Sequence, residues 1–511
     1  MKSYKTVIFI FSIIIALAIL SFCFPESGVK IGNIVLRFPS LESILSKSSI
    51  NKKEMSDILS SMEENNIEDE YIRQELLIRD STLNAIADSI QFYQSKIFHN
   101  TKLYLPDNNI HFFDSIFNEM DNCKITERII RILHYGDSQI ETDRISSNIR
   151  SFFQNKFGGG GPGMIPLIQS IPTSSVTQRI SGDNISEYAI YGNAEKRDDK
   201  NYGIMAKNYR INGTVNLSIF PSSFKNIDIK VTRISRVSVI YDSFDNNFSG
   251  VLSDRKTKYK SVQTCENPSL GIMYWVIDST SSHLNLELNG NADIFGITLD
   301  NGYGVSVDNI PIRGSSGTFF TGLNSYNLKQ MYNLCDVGMI ILQFGGNSIP
   351  SLSGKTSIDY YTNLIAHQIA YLKKINPDLK IIFIGPSDMS TKKDGEMVTY
   401  SLLPDFVNSI KEAVTKNGAT FWDMYNAMGG ENSMPVWVQN GYAVNDYVHF
   451  TPQGANIIGN SFVNNLNIFY DFFKYKKSVS EDLYLEALNL LLNEEDSVSH
   501  YQQINDTIIY E

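Results

Sequence analysis

Three apolar runs that each stop on glycine constrain this chain more than any other feature of it. Residues 129–135 run into Gly136-Asp137-Ser138, residues 337–344 into Gly345-Gly346-Asn347, and residues 380–384 into Gly385-Pro386. Short apolar runs bounded by turn residues are the pattern of buried strands. After the first, Ile140, Ile145, Ile149, Phe152 and Phe153 recur at helical spacing up to Phe157 and the Gly158 stop. After the second, Tyr360, Tyr361, Leu364, Ile365, Gln368, Ile369 and Leu372 do the same ahead of Asn376-Pro377. A further helix is expected over 403–416 and a short strand over 419–422. Strands alternating with helices predict a parallel sheet covered on both faces. The binding site of such a sheet lies at the carboxyl ends of its strands. Ser138 and Asn347 both fall there, and Ser138 falls where a helix amino terminus is expected to offer free N–H groups and a favourable dipole.

At 511 residues the chain exceeds one ordinary core, so more than one folded unit is expected. Between the first and second runs the texture changes to short alternating segments such as 215–220, 237–241 and 284–288, separated by Asn, Asp, Ser and Gly. This predicts an inserted all-β, jelly-roll-like sandwich over 164–311, either a carbohydrate-binding module or a lid without a ligand. The stretch Gly158 to Gly163 lacks the Lys-Ser/Thr of a phosphate loop and ends a helix, so it is expected as a hinge into that insert. The remaining divisions are 1–27 as a membrane anchor or signal segment, 28–100 as a helical stalk, 101–163 and 312–475 as the two parts of the α/β domain, and 476–511 as a peripheral acidic helical tail.

Lys2 and Lys5 precede an apolar run over 7–24 broken only by Ser12 and Ser21. That length can cross a bilayer, with the lysines holding the amino terminus in the cytoplasm. An uncleaved anchor is expected ahead of a cleaved form, because Leu20-Ser21-Phe22 ends on the wrong residue for a signal peptidase and Phe22 is bulky before a lipoprotein-type Cys23. In either case the rest of the chain works in the cell envelope, in the periplasm or secreted. Cys123, Cys265 and Cys335 are too widely spaced for a disulfide framework or a zinc motif. The net charge of −11 excludes nucleic acid as the main partner, since phosphate binding needs a basic surface. No His-Glu-x-x-His, EF-hand or nucleotide fingerprint occurs, so no metal and no cofactor is implied.

In sequence order the chain carries Gly136-Asp137-Ser138, Gly314, Asn347 in a Gly-x-Asn turn, and Asp446-Tyr447-Val448-His449. This order resembles that of the SGNH (GDSL-type) hydrolase superfamily, over residues 133–157 and 313–473. The resemblance implies a flavodoxin-like three-layer α/β/α fold. The amino-terminal segment, the insert and the wording Leu-Gln-Phe-Gly-Gly-Asn are similar to the cell-envelope branch that includes peptidoglycan O-acetylesterases. The resemblance assigns Ser138 as nucleophile, His449 as base and Asp446 as its orienting carboxylate. It builds the oxyanion hole from the N–H of Ser138, the N–H of Gly314 and the carboxamide of Asn347; Gly317 and Gly302 compete with Gly314 for that place. A serine needs such a base, because its hydroxyl is a weak nucleophile until its proton is removed.

The expected activity is therefore removal of O-acyl groups, acetyl first, from an envelope polysaccharide such as peptidoglycan. Two rivals stay open: an O-acyltransferase working with a membrane-bound O-acyltransferase, and a glycan-binding or assembly protein with a vestigial serine. Asp137 is expected to be structural, His134 and His367 to be packing residues, and Asp388 and Asp423 to serve turns or caps rather than substrate.

Overall fold

The computed structural model describes residues 67–492 except 172, 183, 222–232, 255–259, 265–268 and 278–282, together with 11–13, 15, 16, 19, 29–31 and 34–36. Two compact units are present, Met1–Thr82 and Leu83–Glu511. In the first, Val29–Ile31 pairs antiparallel with Ile34–Leu36. Among the described residues no helix is long and apolar enough to cross a membrane; the run at 7–24 lies mostly outside them, as does Cys265.

The second unit is built on a six-stranded sheet. Its strands are β1 (Leu103–Tyr104), β2 (Ile129–Gly136), β3 (Gly304–Pro311), β4 (Val337–Gln343), β5 (Lys380–Ile384) and β6 (Thr420–Trp422), in spatial order β3-β2-β4-β5-β6-β1. All neighbours are parallel except β1, which closes the β6 edge antiparallel. Leaving β1 aside, the order is the 2-1-3-4-5 of flavodoxin-like sheets, with its switch point between β2 and β4. Helices α1 (Asp114–Thr126), α2 (Ser146–Phe157) and α5 (Pro452–Ser478) cover one face, α3 (Lys355–Ile375) and α4 (Leu403–Lys416) the other. The strands show why both faces need cover. Ile132, Ile341 and Ile382 go to the first core, while Leu133, Ile340 and Ile381 go to the second, the period of two that a pleated strand imposes.

The inserted region is a nine-stranded antiparallel sheet from Gly163–Ile165 to Leu284–Asp300. The 17-residue strand Leu284–Asp300 organises it: its first half lies between Ser249–Asp254 and Lys207–Pro221, its second half between Arg236–Ser243 and Gly163–Ile165. The expected insert boundary at 311 moves back, because 304–311 is β3 of the parallel sheet, paired along its length with β2. Nor is the insert a module with a wholly separate interior. Its Tyr202, Ile204, Met205, Ile240 and Phe295 share a core with Leu133, Tyr135, Ile340 and Leu342 of the parallel sheet. Arg131 on β2 ties the two parts further, pairing with Asp300 of the insert at 3.0 Å and Asp308 of β3 at 2.9 Å, all three buried. The glycine run is no loose hinge: a Cβ on Gly161 would sit 2.1 Å from the Leu299 carbonyl.

Two more expectations change. The helix Ile67–Ser95 is exposed at Leu76, Leu77 and Ile78, but Leu83, Ile86 and Ile90 are buried in the first core, so the stretch expected as a stalk ends in packed structure. At the other end, Tyr484 and Ala487 of the helix over 481–492 are buried in the same core, not peripheral.

Candidate active site

Three turns at the carboxyl ends of the adjacent strands β3, β2 and β4, joined by the loop before α5, carry the residues singled out above. The first leaves β2. Asp137 caps it, its Oδ1 accepting the Gln139 N–H at 2.9 Å. Ser138–Asp143 is a kinked 3-10 turn, with Thr142 and Asp143 left-handed, and the α-helix starts only at Ser146. The helix terminus expected at Ser138 is therefore eight residues further on. The acidic side chains explain this: Glu141 is held by Arg313 through two contacts of 2.6 and 2.7 Å, and buried Asp143 by Arg150, which draws the segment out of helical geometry.

The loop 440–451 comes from the other end of the sequence. Thr451 caps α5 by accepting the Gly454 N–H, with Pro452 in the first turn. Tyr447 is left-handed at φ 57°, which folds the loop back on itself. Asp446 Oδ1 can then accept the N–H groups of Val448 and His449 at 2.9 and 3.0 Å, while Oδ2 accepts from His449 Nδ1 at 2.7 Å. Partial burial pushes the Asp446 carboxyl up, but the His449 N–H, the imidazole and the Val448 N–H outweigh it and hold the group below the ordinary carboxylate range. An ionised Asp446 makes Nδ1 the protonated nitrogen, which leaves Nε2 as an acceptor 2.8 Å from Ser138 Oγ. Ser138, His449 and Asp446 thus form a continuous relay although the first two are 311 residues apart in sequence.

Asn347 sits in the 3-10 turn Gly346–Ser351 after β4. Its Nδ2 donates to Asp137 Oδ2 at 3.0 Å and to the Ser315 carbonyl at 3.1 Å, so both amide protons are engaged. Burial pushes the Asp137 carboxyl up to about 6. Gly314, at φ 72° and exposed, lies in the turn that follows β3, one residue before the Ser315 that Asn347 grips. Its rivals fall elsewhere. Gly302 precedes β3, at the opposite end of the sheet, and Gly317 is packed on the Phe344 ring. A pocket of about 140 Å³ opens over Ser138, His449 and Asn347, walled by Phe344, Pro386 and Met389.

The residues set aside in the sequence also find places. His134 is fully buried between Ser146 Oγ and Gln343 Oε1, and burial lowers its pKa to about 3, so it is a neutral core residue. His367 is exposed on α3, not packed. Buried Asp388 accepts from Thr399 and the Met434 N–H, and Asp423 caps Met424–Ala427. Two polar residues escaped the sequence reading. Gln139 Nε2 donates to the Val448 carbonyl at 2.6 Å, and Arg144 donates to the carbonyls of Ser138, Glu141 and Phe450 at 2.7, 3.0 and 3.0 Å. Their only trace in sequence is proximity to Ser138, since Val448 and Phe450, which tie them to the loop of His449, lie 309 and 306 residues away.

No family model and no curated protein matches the sequence. Among solved structures the chain is similar to a peptidoglycan O-acetylesterase, at 16% identity over 73% of this chain and 99% of that one, with a TM-score of 0.58. Two others are a family two carbohydrate esterase from Cellvibrio japonicus (12% identity, 58% and 98% coverage, TM-score 0.23) and a GDSL-like lipase from Parabacteroides merdae (15%, 32% and 74%, TM-score 0.24). The strand order and the first of these likenesses agree: the fold is of the SGNH hydrolase type.

Proposed function

We propose that the protein is a serine esterase that removes O-acyl groups, acetyl above all, from a cell-envelope polysaccharide such as peptidoglycan. The observation that carries this reading is the relay from Ser138 Oγ through His449 to Asp446, with contacts of 2.8 and 2.7 Å. In it, His449 Nε2 takes the hydroxyl proton as Ser138 attacks the ester carbonyl, and returns it to the leaving sugar oxygen. The resulting acyl-serine is opened by a water that His449 deprotonates. The tetrahedral oxyanion is met by the N–H groups of Ser138 and Gly314 and by Asn347. Since both Asn347 protons are engaged, the oxyanion takes the place of the Ser315 carbonyl. The small pocket favours a short acyl group, and the likeness to a peptidoglycan O-acetylesterase supports the choice of polymer.

The β insert is read as a jelly-roll-like module that meets the glycan, and the amino-terminal apolar run as an anchor that keeps the esterase in the periplasm. The test is acetate release from O-acetylated peptidoglycan by the purified protein and by Ser138→Ala. Release that depends on Ser138 is expected; equal release by both would eliminate the nucleophile. Acetate that appears on a second glycan instead of in solution would point to transfer.

A further inference from the structure

Three peptide groups around the Ser138–His449 pair are each held at both the carbonyl and the N–H. The unit joining Ser138 and Gln139 is fixed at both ends, its carbonyl by Arg144 at 2.7 Å and its N–H by Asp137 at 2.9 Å. The unit joining Val448 and His449 is fixed by Gln139 Nε2 on its carbonyl at 2.6 Å and by Asp446 on its N–H at 3.0 Å. The unit joining Phe450 and Thr451 is fixed by Arg144 on its carbonyl and by the Tyr442 carbonyl on its N–H, both at 3.0 Å. One guanidinium therefore grips the backbone of the nucleophile and the backbone just past the base. No other cation donates to the Ser138 or Phe450 carbonyl among the described residues.

Resting on the esterase reading, we infer that Arg144 is a positioning residue that sets the distance between Ser138 and His449, with Gln139 as its neutral partner. A guanidinium suits the task because its donors lie in a rigid planar fork on three separate nitrogens, whereas the three donors of a lysine all rotate about one. It also contributes a fixed positive charge. The charged groups about it are Asp137, Asp446 and Glu141, the last already paired with Arg313, and the imidazole of His449 lies on the same relay. A cation there opposes proton uptake by that cluster, so geometry and charge are separable by substitution.

The experiment compares wild type with Arg144→Lys and Arg144→Met on a small ester, 4-nitrophenyl acetate, across pH, with thermal melting to confirm folding. Both variants are expected to lose kcat by about 10²-fold, the scale of a displaced reacting group, with KM changed by less than about twofold. Arg144→Lys keeps the acidic limb of the kcat/KM profile in place; Arg144→Met moves it to higher pH. Wild-type kcat in folded Arg144→Lys, or an acidic limb that is the same in both variants, overturns the inference. A wild type whose activity survives Ser138→Ala would instead sink the esterase reading, and this inference with it.

Discussion

Asn347 and Asp137 show how closely two neighbouring side chains can be linked at the residue scale. If Asn347 meets the oxyanion, Asn347→Ala should lower kcat by roughly 10²- to 10³-fold with little change in melting temperature, the usual cost of one lost donor; kinetics on 4-nitrophenyl acetate would check it. Asp137 leads to a stability prediction. Its folded pKa of about 6 stands above the ordinary 3.8, with burial as the chief cause. The folded state then holds more protons than the unfolded state between those values, so stability falls as pH rises from about 4 to about 6 and is level above. Asp137→Asn should flatten that slope, as thermal melts at several pH values would reveal. These side chains also mark how far the sequence could be read. Ser138 stands out in the sequence because a glycine marks the strand end just before it, and Asp446 and His449 because their Asp-x-x-His spacing directly precedes the Thr451-Pro452 start of a helix. Arg144 does not, because nothing local distinguishes an arginine that binds distant carbonyls from one on a solvated helix.

At the scale of elements, apolar runs were a sound guide to β2, β4 and β5, whose residues are buried on both faces and tolerate little else. Periodicity misled where side-chain capture overrode it, as at Ser138–Asp143, where Ile140 and Ile145 are both fully buried although the helix begins only at Ser146. It misled again in 304–311, which reads as one more alternating strand of the insert but lies in the parallel sheet. The ion cluster joining these elements has a measurable value. Arg131→Met would leave Asp300 and Asp308 buried without their shared cation, and Arg236, which also meets Asp300, is only partly buried. A loss of about 3–5 kcal/mol is expected, readable as a lower urea midpoint with an unchanged m-value.

For the whole molecule, the division at Thr82/Leu83 separates what can be removed from what cannot. A chain starting at Leu83 should fold and keep Ser138-dependent activity. One starting at Lys96 loses Leu83, Ile86 and Ile90 from the core, several kcal/mol of apolar burial, and should be recovered mainly as aggregate; size-exclusion chromatography and activity per milligram distinguish the two. Excising the insert should also fail, because its side chains complete the core beneath β2 and β4.

The position of that insert has a consequence for biosynthesis. Strand β2 cannot find its parallel neighbour until β3 has been made, and Arg131 waits for an Asp308 that is 177 residues downstream. At about 5–20 residues per second, translation covers that interval in roughly 10 to 35 seconds. Throughout it, an apolar ribbon with an open edge emerges from the ribosome. Slowed elongation within the insert would lengthen that interval, and so would cost yield before it cost anything in the finished protein.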